Sequence, residues 1–150
     1  MTLEEYLESK RVWHRFISKP ETVHTSDASK VSGVDLNQLT KNLIGTTSEG
    51  EFVLLIVPGN RRVDLKKTSR ILGTKNVSLI PFTEAESISG YPPGGTPSIG
   101  HKTRLSVVID ESLMKYETIF CGGGTRDKIL ELKTQDVISL NNATVGNLTE

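Results

Sequence analysis

The sequence predicts an α+β fold with a mixed, curled β-sheet and flanking helices. Three observations carry that reading. Apolar residues make up 35% of the 150-residue chain, with only one Trp, three Tyr and four Phe. The core must therefore rest on Val, Ile and Leu, a composition that favours sheet. Second, Phe52–Val57 (FVLLIV) is an unbroken apolar run, the mark of a strand covered on both faces. Third, helix and strand signals alternate, yet several strands lack the long crossover that a purely parallel sheet requires. The length fits one domain, residues 1–150, able to bury a core without covalent staples.

The elements follow in order. Leu3, Tyr6 and Leu7 sit at helical spacing, and Val12–Ile17 reads as a strand holding Trp13 and Phe16. Thr25 is the expected N-cap of a helix closed by Gly33, and Asp35 caps a short turn. Lys41 and Asn42 stand at the entrance to an apolar stretch, Leu43–Ile44. After Phe52–Val57, Pro58–Gly59 make a turn, and Asp64 caps a helix carrying Leu65, Ile71 and Leu72 before Gly73. Val77–Ile80 is a strand. Thr83 and Glu86 form an expected capping box for a helix that Gly90 ends. Residues 91–103 are loop, Leu105–Ile109 is a strand, and Asp110 opens a helical turn. Thr118–Cys121 and Ile129–Leu132 are strands joined hairpin-fashion through GGGTRDK. Thr134 caps the last helix, and Ala143–Leu148 adds an edge strand.

Composition excludes several classes. Eighteen basic residues balance eighteen acidic ones, which argues against a general polyanion binder, although a local basic patch suffices for a small RNA end. The N-terminus is charged and lacks the apolar core of a signal peptide. The longest apolar run, Phe52–Pro58, is too short to span a bilayer. A single cysteine, Cys121, fits a reducing compartment. A soluble, cytoplasmic protein without membrane partners is expected.

Two glycine-rich segments stand out. Gly90–Gly100 (GYPPGGTPSIG) holds four glycines and three prolines in eleven residues. Glycines let a backbone approach a ligand closely, prolines stiffen the loop, and exposed N–H groups can cradle an anion or a developing oxyanion. It is neither a dinucleotide fingerprint nor a P-loop, since no strand–helix context and no Gly-Lys-Ser/Thr accompany it. Gly122–Gly124 reads equally well as a loose hairpin or as part of a site. Lys41 alone reads as an ordinary solvated lysine. His14, His24 and His101 form no HxxxH or HxH pair and Cys121 has no CxxC partner, so no metal and no cofactor are expected. His24 and His101 read as surface or loop histidines, and Cys121 as a small buried hydrophobe rather than a nucleophile. No G-x-S-x-G elbow occurs, and Asp64, Asp110 and Asp127 read as caps and turn residues. Arg61, Arg62, Lys66, Lys67 and Arg70 form the densest basic cluster. Arg62, Lys66 and Arg70 recur every four residues, as on one helical face, which is either solvated or set against a phosphate backbone.

Four segments, in this order, carry a resemblance: TKNLI at 40–44, VPGNRRVDLKK at 57–67, SGYPPGGTPSIG at 89–100 and IFCGGGTRDKILEL at 119–132. The chain resembles the YbaK/prolyl-tRNA synthetase editing-domain family of aminoacyl-tRNA deacylases over nearly its full length. That resemblance implies a barrel-like sheet and a trans-editing hydrolase acting on mischarged tRNA, most often tRNA(Pro) carrying Ala, Ser or Cys. It implies catalytic roles for Lys41, Gly94, Gly95 and Gly100, and substrate-binding roles for Asn42, Thr96, Pro97, Ser98, Gly123 and Gly124. Arg61, Arg62 and Lys66 are the implied contacts to the tRNA backbone. The implied partners are the acceptor end of aminoacyl-tRNA and prolyl-tRNA synthetase. Ser98 stands where the family's Gly-x-x-x-Pro-x-Gly loop has its proline, with Pro97 one place earlier. The pocket floor is therefore expected to differ and to gain a hydroxyl. Two other readings remain at this stage, a non-catalytic tRNA- or nucleotide-binding module and a synthetase-associated regulatory domain.

Overall fold

The computed structural model describes residues 1–150 as two sheets that share one core, with five short helices around them. Strand β3 (Phe52–Pro58) lies at the centre of the larger sheet. Its even residues Leu54 and Ile56 face a core shared with the smaller sheet, while Val53, Leu55 and Val57 face the opposite side. All five are fully buried, each contributing roughly 1.5–3 kcal/mol by leaving water. The unbroken apolar run is thus a central strand covered on both faces.

Strands β2 (Thr40–Thr47), β4 (Val77–Leu79), β5 (Ser106–Asp110) and β8 (Thr144–Gly146) complete that sheet in the order β4-β2-β3-β5-β8. β2 is antiparallel to β3 and β4, whereas β3, β5 and β8 run parallel, so the sheet is mixed. Strands β1 (His14–Ser18), β6 (Thr118–Gly122) and β7 (Lys128–Lys133) form a smaller antiparallel sheet, ordered β1-β7-β6. The curled sheet expected from sequence is therefore divided in two, and the barrel is not closed. The seam lies where β2 begins: Leu39 bridges Phe120, the Phe120 N–H donates to the Gln38 carbonyl (3.0 Å), and the Thr40 hydroxyl donates to the Phe120 carbonyl (2.8 Å).

Helices α1 (Leu3–Lys10), α2 (Thr25–Ser32), α3 (Leu65–Leu72), α4 (Phe82–Ser89) and α5 (Thr134–Asn141) have eight residues each, about two turns. Helix α3 begins as expected, with Asp64 accepting from the Lys66 and Lys67 N–H groups at 3.0 Å each. Its Leu65, Ile71 and Leu72 cover the outer face of β3. Three expected caps differ. The N-cap of α2 is His24, with Thr25 already helical; that of α4 is Pro81, and no Thr83–Glu86 box forms; that of α5 is Lys133. In α5 the Thr134 hydroxyl instead donates to the Tyr116 carbonyl at 2.7 Å. Arg62 also departs from expectation. It precedes α3 and does not share a helical face with Lys66 and Arg70.

The loop after α4 is pinned to the β6–β7 hairpin backbone to backbone. The Gly122 N–H donates to the Thr96 carbonyl (3.2 Å) and the Gly124 N–H to the Gly95 carbonyl (2.9 Å). A Cβ on Gly122 would lie 2.4 Å from the Gly95 carbonyl carbon, so this contact admits no side chain. Gly122→Ala is expected to lower stability by about 3 kcal/mol through overpacking, measurable by urea unfolding. Stability equal to wild type would show that the loop is not held by this contact.

Candidate functional site

A cavity of about 380 Å³ opens at the seam between the sheets. Its floor is Leu39 and the first half of β2, Thr40 to Ile44. His24, Thr25, Ser26 and Ala28 at the start of α2 form one wall, and Pro93, Gly94 and Thr96 form another. Cys121, Gly122 and Ile129 close the hairpin side. Leu79 and Phe82, both exposed, make an apolar rim. Ligand pockets commonly run from roughly 300 to 1,000 Å³, so this one suits a small occupant.

The lining is charged in one sense only. Lys19, Lys41 and Lys128 reach it, and no Asp or Glu does. Lys19 is engaged by the protein, donating to the Thr22 hydroxyl (2.8 Å) and to the Arg126 carbonyl. Lys128 lies 3.9 Å from the Glu4 carboxylate and over the Phe16 ring. Lys41 has neither an ion pair nor a hydrogen bond within the protein. Half-burial against the cavity wall pulls its pKa below the usual lysine value, and the nearby Arg62 guanidinium acts in the same direction. An ammonium held in this way gains most from an anionic or strongly dipolar ligand.

Backbone donors line the same cavity. Gly94 has φ 86°, and a Cβ there would meet the Val23 Cα at 2.7 Å, so the loop touches the chain entering α2. The N–H groups of Gly94 and Thr96 make no hydrogen bond within the protein, and both residues line the cavity. Free N–H groups at a wall are the usual means of holding an oxyanion. Gly95 differs, because its N–H already donates to the Pro92 carbonyl at 2.9 Å.

Beneath the floor runs a chain of buried polar contacts. The Ser98 hydroxyl donates to the Asn42 side-chain carbonyl at 2.6 Å, and the Asn42 amide donates to the Thr40 hydroxyl at 2.9 Å. Asn141 of α5 donates to the Ser98 carbonyl at 2.7 Å. Ser98 is fully buried, so the hydroxyl expected in the pocket is turned toward Asn42 instead. Cys121 lies against Ser98, and burial pushes its thiol up to about 11.

The sequence-derived residues are thus divided. Lys41, Asn42, Gly94 and Thr96 line the cavity together, whereas Gly95, Pro97, Ser98 and Gly123 stand behind its wall. Gly100 and Gly124 border a separate hollow with Tyr6, Tyr91 and His101. There His101, kept below its usual pKa by burial, shares a 2.7 Å hydrogen bond with the Pro97 carbonyl. Arg61, Arg62 and Lys66 lie outside the cavity lining. His24 is exposed at the N-cap of α2, in keeping with its reading as a surface or loop histidine, and it also lines the cavity. Sequence reasoning also missed Lys19, Thr40, Phe82 and Lys128. Of these only Thr40 carried a signal, its place in the TKNLI segment.

The family pattern described as aminoacyl-tRNA editing domain matches residues 19–140. A protein of Enterococcus faecalis assigned as a Cys-tRNA(Pro)/Cys-tRNA(Cys) deacylase, EbsC, is 25% identical over 136 residues, covering 91% of this chain and 83% of that protein. The proline–tRNA ligase of Methylobacillus flagellatus is 25% identical over 112 residues, covering 72% of this chain but 20% of the ligase. A crystal structure described as a trans-editing enzyme for prolyl-tRNA synthetase superposes with a TM-score of 0.85 at 26% identity, covering 99% of this chain and 94% of that one.

Cys121 offers a check on the cavity wall. With its pKa near 11, only about one thiol in a thousand is ionised at pH 8, and the thiolate is the reactive form. Iodoacetamide at pH 8 is expected to leave the folded protein unmodified over hours and to alkylate it within minutes in urea. Rapid alkylation of the folded protein would mean that the thiol faces solvent.

Proposed function

This chain belongs to the aminoacyl-tRNA editing-domain family, and on that premise we propose that it hydrolyses the ester of mischarged tRNA(Pro) carrying a small amino acid, Ala, Ser or Cys. The activity is that of an aminoacyl-tRNA deacylase. One observation carries the assignment: a half-buried, unpaired Lys41 shares a small cavity with the unbonded N–H groups of Gly94 and Thr96.

An aminoacyl ester is already activated, so positioning and charge stabilisation suffice to hydrolyse it. Water adds to the ester carbonyl carbon, and the carbonyl oxygen becomes an oxyanion. The Gly94 and Thr96 N–H groups donate to that oxygen while Lys41 supplies positive charge beside it. As the tetrahedral species collapses, the bond between the carbonyl carbon and the ribose oxygen breaks. The proton lost by water reaches that oxygen, with the neighbouring ribose hydroxyl as the relay. The products are the free amino acid and uncharged tRNA.

This route needs no carboxylate, and none lines the cavity; His24 and Ser26, which do, make no hydrogen bond to each other. The apolar rim of Leu79 and Phe82 suits the face of the terminal adenine. Small volume works as a sieve, in which one methylene changes selection by about 10–200-fold. Arg61, Arg62 and Lys66 carry the charge for a tRNA backbone contact. Prolyl-tRNA synthetase, which supplies the mischarged product, is the proposed partner, and the cytoplasm the proposed compartment.

The test is a deacylation panel with tRNA(Pro) bearing Ala, Ser, Cys or Pro. Turnover of at least one small wrong amino acid, with Pro-tRNA(Pro) spared, is expected. Binding of uncharged tRNA with no hydrolysis above the spontaneous rate would instead favour a non-catalytic module.

Lys41 provides a second test with opposite effects on activity and stability. Its folded pKa lies below the unfolded value, so its charge opposes folding. That penalty is complete below the folded pKa and disappears as pH rises past the unfolded one. Lys41→Met keeps the apolar stem, so at pH 7 its melting temperature is expected to equal or exceed wild type. Hydrolysis is expected to fall by about 10²–10³-fold, as for loss of one oxyanion-stabilising group. Undiminished hydrolysis would remove Lys41 from the mechanism.

A further inference from the structure

The floor of the cavity holds an amide whose orientation can be derived from its neighbours. Asn42 lies between two hydroxyls, Ser98 at 2.6 Å and Thr40 at 2.9 Å. The oxygen and nitrogen of a carboxamide are told apart by hydrogen bonding. Thr40 decides the matter, because its single proton goes to the Phe120 carbonyl at 2.8 Å. Toward Asn42 the Thr40 oxygen can only accept, so the Asn42 nitrogen must face it. The Asn42 oxygen then faces Ser98, which has a proton to give. In the reverse orientation two acceptor oxygens would meet at the Thr40 end with no proton between them.

This arrangement uses the Asn42 oxygen and one of its two amide protons. The second amide proton has no partner in the protein, and Asn42 lines the cavity. We propose that Ser98 is a positioning residue, which locks the Asn42 amide so that an N–H donor is presented to the substrate.

The proposal rests on the deacylase reading and deepens it, because it fixes what Asn42 can bind. Asn42 then meets an acceptor on the substrate, the ester carbonyl or a ribose oxygen. It does not meet the protonated α-amino group, which can only donate. Ser98 itself is fully buried and never touches substrate. The Asn141 amide on the Ser98 carbonyl, 2.7 Å, holds the serine backbone in place. A proline at position 98, as in the family's loop, has no hydroxyl to give. This chain therefore fixes Asn42 by a contact that the usual loop cannot make.

The experiment is a double-mutant cycle with a spectroscopic arm. Ser98→Ala is expected to lower kcat about fivefold, the value of one ordinary hydrogen bond near 1 kcal/mol, with KM nearly unchanged and the melting temperature lowered by only about 2–4 °C. In an Asn42→Ala background the same change is expected to have no further effect on kcat, which a purely structural role for Ser98 would not produce. Equal kcat for Ser98→Ala and wild type, or an equal loss in both backgrounds, would overturn the inference while leaving the deacylase reading intact.

Absence of hydrolysis by wild type would instead defeat the deacylase reading, and the spectroscopic arm then decides the geometry alone. In ¹⁵N-edited NMR spectra, one Asn42 side-chain amide proton is expected to show a cross-peak to the Thr40 side chain. Ser98→Ala is expected to speed exchange between the two amide protons. Asn42 amide signals that are identical in the two proteins would overturn the locking role whatever the activity.

Discussion

Two glycine runs meet backbone to backbone, and the cavity exists because of that contact. Gly95 and Thr96 accept from Gly124 and Gly122, and the Gly122 approach leaves no room for a Cβ. The contact fixes the Pro93–Thr96 wall against the β6–β7 hairpin. On its other side Gly94 abuts the chain entering α2. The loop is thus held between two independent supports, and the N–H groups at Gly94 and Thr96 keep their direction without regular secondary structure. Donors fixed before the substrate arrives need little reorganisation during reaction, the condition under which electrostatic stabilisation is most effective.

The sheet seam supplies the second half of the site. β2 begins at the point where the two sheets touch, so Thr40, Lys41 and Asn42 are anchored through Phe120 and Gln38 rather than left at a frayed strand end. Every residue from Thr40 to Ile44 lines the cavity, so both faces of this strand end contribute to it. Along its side this strand pairs in antiparallel register with β3, which is buried on both faces. Half-burial without a counter-ion is a costly state for the Lys41 ammonium, and one that an anionic or dipolar ligand relieves.

How much of this was legible in the sequence differs by feature. β3 was readable because six consecutive apolar residues have no other use in a short chain. Gly33, Gly73 and Gly90 were readable as helix ends, and all three take the left-handed C-cap conformation. Threonine was a poorer guide. Thr25 and Thr134 lie one residue inside their helices and Thr83 two residues after its cap, because Pro81 and Lys133 already provide the extended backbone a cap requires. The Arg62–Lys66–Arg70 spacing misled because α3 begins only after Asp64. At the site, the glycine loop was suspicious on physical grounds alone, whereas Lys41 needed the family resemblance. Lys19, Lys128 and His24 were not legible, because they enter the cavity from strands and loops that only the tertiary fold brings together. The division of Gly94–Gly100 into a cavity end and a far end was equally hidden, since it depends on where the hairpin grips the loop.

The central claim is that Lys41 and the Gly94 and Thr96 N–H groups form one site for the esterified end of tRNA. A stable mimic, alanine joined by an amide bond to the 3′ position of adenosine, isolates that end from the rest of the tRNA. Titrated into ¹⁵N-labelled protein, it is predicted to shift the Gly94 and Thr96 amides and the Asn42 side chain, leaving the amides of Gly100 and Gly124 unmoved. Shifts confined to the hollow around Tyr6, Tyr91 and His101, or none at saturating concentration, would contradict the account.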